Sequence, residues 1–152
     1  MSLAPEILYQ VTDLARHHRG VVEAGRRPGG TMIRDKDGEA LLLAPAGPVK
    51  RERYALEGLK AAVRVLKLLG LDQSCDPLLY GSLTWLAVLP REDQTTFIWE
   101  YVRALQAVEG AGTEAVEELL YEWQQTARAW ADDSLRAELT GELNEPLSDV
   151  EL

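Results

Sequence analysis

The sequence predicts an α+β protein in which a small head of the order βαββ precedes an all-helical region. Two observations indicate this class. Short apolar strands flank the turn at residues 35–38, whereas apolar residues beyond Glu52 recur at the three- and four-residue steps of a helix. Prolines and a glycine at residues 44–48 interrupt both patterns and mark a boundary. The predicted divisions are a head over residues 1–50, a helical domain over 51–131 and an acidic segment over 132–152.

The elements of the head are predicted from caps and turns. Thr12 or Asp13 can cap a helix that ends at Gly25. Asp37-Gly38 is a strong hairpin signal, because glycine tolerates the positive φ that a tight turn requires. The predicted strands cover residues 7–10, 31–34 and 39–43.

The head is poor in large side chains. All four tryptophans and the single phenylalanine lie in the second half, and Tyr9 is the one aromatic residue among the first fifty. A segment this small buries too little apolar area to be stable alone. One helix would not cover the strand residues Ile33, Leu41 and Leu43, so we expect the head to form a homodimer.

The helical domain is predicted from apolar spacing. One helix carries Leu56, Leu59, Val63 and Leu66 and runs to Gly70. Further helices are expected over 78–89 after the Asp76-Pro77 cap, from Pro90 to Gly110, from Thr113 onward, and after Asp132. Their predicted inner faces include Phe97, Ile98, Tyr101, Val102, Leu105 and Val108 in the third helix, and Val116, Leu119, Leu120, Trp123, Ala127 and Trp130 in the fourth.

Composition argues against several classes of protein. The single cysteine, Cys75, excludes an internal disulfide and suits a reducing cytoplasm. The apolar runs are too short to span a bilayer, and no signal peptide is recognisable, so we expect a cytoplasmic protein that does not enter membranes. Adjacent His17 and His18 point about 100° apart on a helix and make a poor metal pair. We therefore expect no metal, no cofactor and no enzymatic activity.

The net charge of −9 conceals a gradient along the chain. Residues 1–54 hold nine basic and seven acidic residues, whereas residues 111–152 hold two basic and eleven acidic residues. A mildly basic head suits an anionic partner, and the acidic end is explained equally well by solubility.

Cations recur in the helix and hairpin of the head. Arg16 is expected in the first turns of the helix, and Arg34 ends the strand before the turn. Together with Arg19, Lys36 and His17 they would line one convex surface of a paired head. Arginine suits DNA contact because its planar fork meets a phosphate or a guanine edge with two hydrogen bonds. The alternative is that these are ordinary exposed side chains.

The run Thr12-Asp13-Leu14-Ala15-Arg16, followed by residues 33–40, resembles the DNA-binding half of the prevent-host-death (Phd)/YefM antitoxin family. The resemblance covers about the first forty-five residues. It implies a homodimeric βαββ module whose basic residues face operator DNA, with Arg16 and Arg34 as DNA contacts. His17-His18-Arg19-Gly20 departs from the usual family continuation, and the helical region is far larger than that of a typical member.

The acidic end is similar to the antitoxin segment that wraps a toxin, with apolar anchors at helical spacing in an acidic background. The corresponding anchors are Trp123, Trp130, Leu135, Leu139 and Leu143. The alternative is that Trp123 and Trp130 belong to the core of the helical domain. The resemblance therefore implies an antitoxin-type transcriptional repressor that neutralises a cognate toxin. The alternative is a dimeric helical protein-interaction module whose head does not bind DNA.

Overall fold

The computed structural model describes residues 8–71, 76–132 and 137. It confirms the α+β class, since the described chain is mostly helical with a small sheet near its start. The chain divides into two compact units, residues 1–53 and 54–152. The long helix α3 (Ala46–Gly70) begins in the first unit and continues in the second.

The N-terminal unit contains a three-stranded sheet in the order β1-β2-β3. β1 lies parallel to β2, and β2 lies antiparallel to β3. Its elements are β1 (Leu8–Gln10), α1 (Val11–Arg16), α2 (His18–Gly25), β2 (Thr31–Arg34) and β3 (Ala40–Leu43).

The predicted order βαββ is wrong in one detail, because two short helices stand where one was expected. His17 adopts φ −132° and ψ 36°, which is not helical, and separates α1 from α2. α1 also begins earlier than predicted. Gln10 precedes it and donates its backbone N–H to Asp13 Oδ2 at 2.8 Å, so Asp13 caps from the third helical position. The observed order is βααββ.

One side of the sheet is covered by α2. Val21 and Ala24 of α2 are buried, as are Thr31 and Ile33 of β2. Gly30 lets the backbone just before β2 lie close to the end of β3. Its φ is +73°, and a Cβ at this position would lie 2.4 Å from the carbonyl oxygen of Leu43. Of the three strand residues that one helix was not expected to cover, Ile33 is therefore buried, whereas Leu41 and Leu43 keep exposed surface.

The edge strand β3 is much less covered than β2. Leu41 is 48% exposed and Leu42 is 57% exposed. Leu43 is half-buried. The N-terminal unit thus keeps exposed leucines on a strand whose outer edge has no neighbour among the described residues.

The second unit packs the C-terminal part of α3 with a 3₁₀ segment (Pro77–Val88), α4 (Arg91–Ala111) and α5 (Glu114–Ala131). The prediction of an α-helix over 78–89 is wrong. Gly81 (φ 61°, ψ −126°) and Leu83 break the helical conformation. The predicted cap is confirmed, because Asp76 Oδ1 accepts the Leu78 N–H at 2.9 Å.

The core of this unit is built around Phe97. Its ring stacks on Tyr101 at 5.2 Å and meets Trp85 and Trp123 edge-on at 5.0 and 5.8 Å between centroids. The predicted inner faces of α4 and α5 are confirmed, since their residues are buried in this core or packed against it. The buried polar side chain of Gln94 is satisfied by the Tyr80 hydroxyl and the Leu89 carbonyl.

α3 buries only part of the face that its predicted apolar residues mark, since Leu59 packs against the core whereas Leu56, Val63 and Leu66 stay exposed. The buried residues are the small Gly58, Ala61, Ala62 and Val65. The helix also starts at Ala46, before the predicted position. Pro48 permits this start, since it falls in the first turn, where no intrahelical hydrogen bond is lost. The helix predicted after Asp132 lies outside the described residues.

Candidate nucleic-acid interface

The five predicted DNA-contacting residues all have exposed side chains in the N-terminal unit. They are Arg16, His17, Arg19, Arg34 and Lys36. Arg16 ends α1, His17 joins α1 to α2, and Arg19 lies at the start of α2. Arg34 ends β2, and Lys36 lies in the turn that follows.

Arg34 is positioned by the alternation of β2. Thr31 and Ile33 point towards α2 and are buried, so Arg34 lies on the opposite side of the strand and is exposed. It pairs in register with Gln10 of β1 and Ala40 of β3, which fixes its backbone from both sides. The guanidinium is thus carried by the central strand of the sheet, a rigid support for a recognition side chain.

Arg16 lies in the last turn of α1, not in the first turns as predicted. The reason is the early start of this helix at Val11 and its end before His17. Six helical residues span about 9 Å, so α1 separates Arg16 from the Gln10–Arg34 pair by roughly that length. A cation in a last turn is also stabilised by the helix dipole, which gives Arg16 a structural role without DNA.

The first turn of α2 carries a cation, at the end of the helix where the dipole favours an anion. Arg19 lies in the first turn, which contains no acidic residue, and His17 makes no side-chain capping hydrogen bond. A cation at this end opposes the helix dipole by about 0.3–1 kcal/mol when exposed. Helix stability therefore does not explain Arg19, whereas an anion bound at this end would be favourable.

Lys36 lies in the tight turn between β2 and β3. Its backbone N–H donates to Asp35 Oδ1 at 2.7 Å, and Gly38 has the predicted positive φ of 83°. Asp35, Asp37 and Glu39 surround Lys36 in sequence, so the turn itself carries net negative charge. Lys36 is consequently the weakest of the five candidates for a phosphate contact.

The candidate cations have no carboxylate partner within the part of the chain that the structure describes. The one salt bridge found there joins Lys60 to Glu57 at 2.9 Å, in the other unit. Arg16 and Arg34 are therefore not neutralised by neighbouring acids of the described chain, as they would be if their role were to form structural ion pairs.

The predicted toxin anchors have different outcomes. Trp130 is half-buried and packs against the core of the helical unit, as Trp123 does. Trp123 also donates its indole N–H to Glu100 Oε2 at 2.8 Å. Leu135, Leu139 and Leu143 lie outside the described residues.

An open cavity in the helical unit was not predicted from the sequence. It has a volume of about 380 Å³ and lies between the 3₁₀ segment and α5. It is lined by Trp85, Val88, Gln124, Ala127, Arg128 and Ala131. The two lining segments are more than thirty residues apart, and no spacing signal connects them.

Two further findings concern the described residues alone. None of their helices is long and apolar enough to cross a membrane. They also contain no group of three histidine, cysteine, aspartate or glutamate side chains arranged to hold a metal ion.

Comparison of the chain with protein-family models, curated proteins and solved structures gives no match.

Proposed function

We propose that this chain is an antitoxin-type transcriptional repressor that binds operator DNA as a homodimer through its N-terminal unit. The observation that carries the proposal is the set of exposed cations described above. They are held on β2, α1 and α2, and the described part of the chain supplies no acidic partner for them. The proposal extends the Phd/YefM resemblance, which stands on short motifs.

Dimerisation would complete the N-terminal unit. Leu41 and Leu42 are about half exposed on the edge strand β3, where an added strand or apolar face would cover them. A two-fold axis would place two copies of Arg16 and Arg34 on one duplex and match them to a palindromic operator.

Recognition would combine two kinds of contact. Arg34 on the rigid sheet suits a bidentate contact with a guanine edge, whereas Arg16, Arg19 and His17 around the α1–α2 junction suit phosphates. The phosphate contacts would give affinity without sequence preference and would weaken as salt increases.

The acidic C-terminal part would neutralise a basic cognate toxin. Leu135, Leu139 and Leu143 would supply apolar anchors, surrounded by acidic residues that steer a basic partner towards them. Trp130 belongs to the helical core and would contribute its exposed edge.

The test uses the full chain and a duplex that it selects from a random-sequence DNA library. Arg16→Ala and Arg34→Ala should each weaken binding by about 1–3 kcal/mol, measured by fluorescence anisotropy. Arg34→Ala should leave the melting temperature unchanged, and Arg16→Ala should lower it only slightly, through the lost interaction with the helix dipole. Arg103→Ala, an exposed arginine of α4, is the matched control and should bind like the unchanged chain. Unchanged affinity in both head variants would remove the site assignment.

A second function is favoured by a different observation. The outward side of α3 exposes Leu56 and Val63, each about half exposed, and the whole chain carries a charge of −9. A dimeric helical interaction module with a head that does not bind DNA would use these features. Failure to select any duplex, with an intact dimer, would favour this alternative.

A further inference from the structure

α3 carries a second apolar row of which its own bundle uses only one residue, Leu59. Leu56, Leu59, Val63 and Leu66 follow the alternating three- and four-residue steps of a coiled-coil seam. Three of them remain substantially exposed: Leu56 by 51%, Val63 by 50% and Leu66 by 38%. We call these four residues the α3 seam.

Three of the four seam residues lie outside the face that holds α3 in the helical unit, whereas Leu59 packs against its core. The buried residues of that face are the small Gly58, Ala61 and Ala62, together with Val65, and the partly buried Tyr54, Leu68 and Leu69 pack beside them. Gly58 allows so close an approach that a Cβ there would lie 2.6 Å from Leu105 Cδ2. The packing of α3 therefore leaves Leu56, Val63 and Leu66 with apolar surface that another segment can cover.

The charge beside the seam is positive. Lys60 and Lys67 each follow a seam residue by four positions and so border the same side of the helix. Between Leu56 and Lys67 the helix holds three cations and one acid, Glu57, whose exposed pair with Lys60 is of the weak surface kind.

The positive charge beside the seam favours an acidic apolar partner over a basic one. An antiparallel contact between two copies of the seam would bring lysines towards lysines, which opposes pairing. An acidic amphipathic segment would neutralise the lysines while covering the apolar row. Residues 132–152 have this character, with seven acidic residues, one arginine, and Leu135, Leu139 and Leu143 at four-residue steps.

We propose that residues 132–152 bind the α3 seam, with their leucines against Leu56, Val63 and Leu66 and their carboxylates facing Lys60 and Lys67. The contact does not depend on DNA binding. Covalent continuity of the chain raises the effective concentration of the segment, so a weak contact suffices. Where a toxin uses the same leucines, it must displace the segment from α3 first.

The experiment is zero-length carbodiimide cross-linking of the full chain, which joins a lysine amine to a carboxylate only when the two are in contact. Products are mapped by peptide mass spectrometry. Lys60 and Lys67 should cross-link to acidic residues of 132–152 several-fold more than Lys36 does, an exposed turn lysine that serves as internal reference. Equal yields for the three lysines would overturn the proposal.

Seam variants separate apolar docking from charge attraction alone. The double variant Leu56→Gln, Val63→Gln keeps both lysines and should lose most of these cross-links. Trp99→Gln removes a 63% exposed residue of α4 that is not part of the seam and should leave them unchanged. Circular dichroism should show that all three chains stay folded, and the seam variant should melt only slightly lower, because it loses a weak contact.

Mixing isotopically heavy and light chains identifies the source of the bound segment. Products within one chain, or between 132–152 of one copy and the seam of another, both support the proposal. Products that join the seam lysines to acids of α3 or α5 in a second copy, in place of 132–152, contradict it.

Discussion

Gly58 sets how closely α3 approaches α4. A Cβ at this position would lie 2.6 and 2.8 Å from the two terminal carbons of Leu105 and 2.9 Å from the Tyr101 hydroxyl. Both neighbours are buried and have little room to move. Glycine costs helical propensity here, so its presence is explained by the contact and not by the helix.

Gly58→Val should lower the free energy of unfolding of the helical unit by about 1–3 kcal/mol, because it overpacks this contact. Urea denaturation followed by tryptophan fluorescence measures the change. Gly110→Ala is the matched control: nothing lies within 4 Å of its added Cβ, so it should stabilise α4 slightly. Similar effects from the two substitutions would show that Gly58 is not a close contact.

Ionisation of Tyr101 should make the helical unit less stable at alkaline pH. Burial raises the pKa of its phenol above the ordinary value of 10.0, and the neighbouring Tyr54 raises it further. The unfolded chain therefore releases this proton first as pH increases. The contribution is fully present below pH 10.0 and is lost as pH rises towards the folded-state pKa.

The urea midpoint should accordingly fall as the pH is raised from 9 towards 11, roughly the range in which tyrosine ionises. Tyr101→Phe should flatten this fall, because the variant has no proton to lose at that position. An equal fall in the variant and the unchanged chain would show that the Tyr101 phenol does not cause it.

At the level of elements, the sequence predicts packing best where a helix has a single apolar face and buries that face. α4 and α5 bury the faces that their apolar spacing marks, from Phe97 to Val108 and from Val116 to Trp130. α3 follows this rule only in part, because its fully buried residues are small and three of its four predicted apolar residues, Leu56, Val63 and Leu66, stay exposed. Periodicity detects an apolar row but does not reveal which of two rows is packed.

Backbone breaks were the other features that the sequence did not predict. His17 divides the predicted head helix, and Gly81 with Leu83 converts a predicted helix into a kinked 3₁₀ segment. These changes depend on local φ and ψ values that composition does not fix. The hairpin at Gly38 was predicted correctly, because its turn chemistry is local.

The edge strand β3 is the element through which the proposed dimer can be tested. Leu42→Lys places a charge on a 57% exposed residue at this edge and should shift the full chain from dimer to monomer. Sedimentation velocity measures the mass. Leu78→Lys alters a 78% exposed leucine of the 3₁₀ segment and should leave the mass unchanged. A dimer that persists in the Leu42 variant would place the interface elsewhere.

For the molecule as a whole, the main feature is the separation of charge along the chain. The basic residues that are candidates for DNA contact lie in the first unit, whereas the residues beyond 110 are strongly acidic. A chain with net charge −9 would be repelled by DNA unless its basic surface were presented locally, within about a Debye length of 8–10 Å. Net charge alone therefore argues neither for nor against the proposed function.

The most direct measurement of the central claim is the salt dependence of full-length protein binding to random-sequence duplex DNA, followed by fluorescence anisotropy. A dimer that engages phosphates through Arg16 and Arg19 of both copies should give a log–log slope of about −4, and Arg16→Ala should reduce it by roughly two. Absence of binding at low salt, or a slope unaffected by the substitution, would contradict the account.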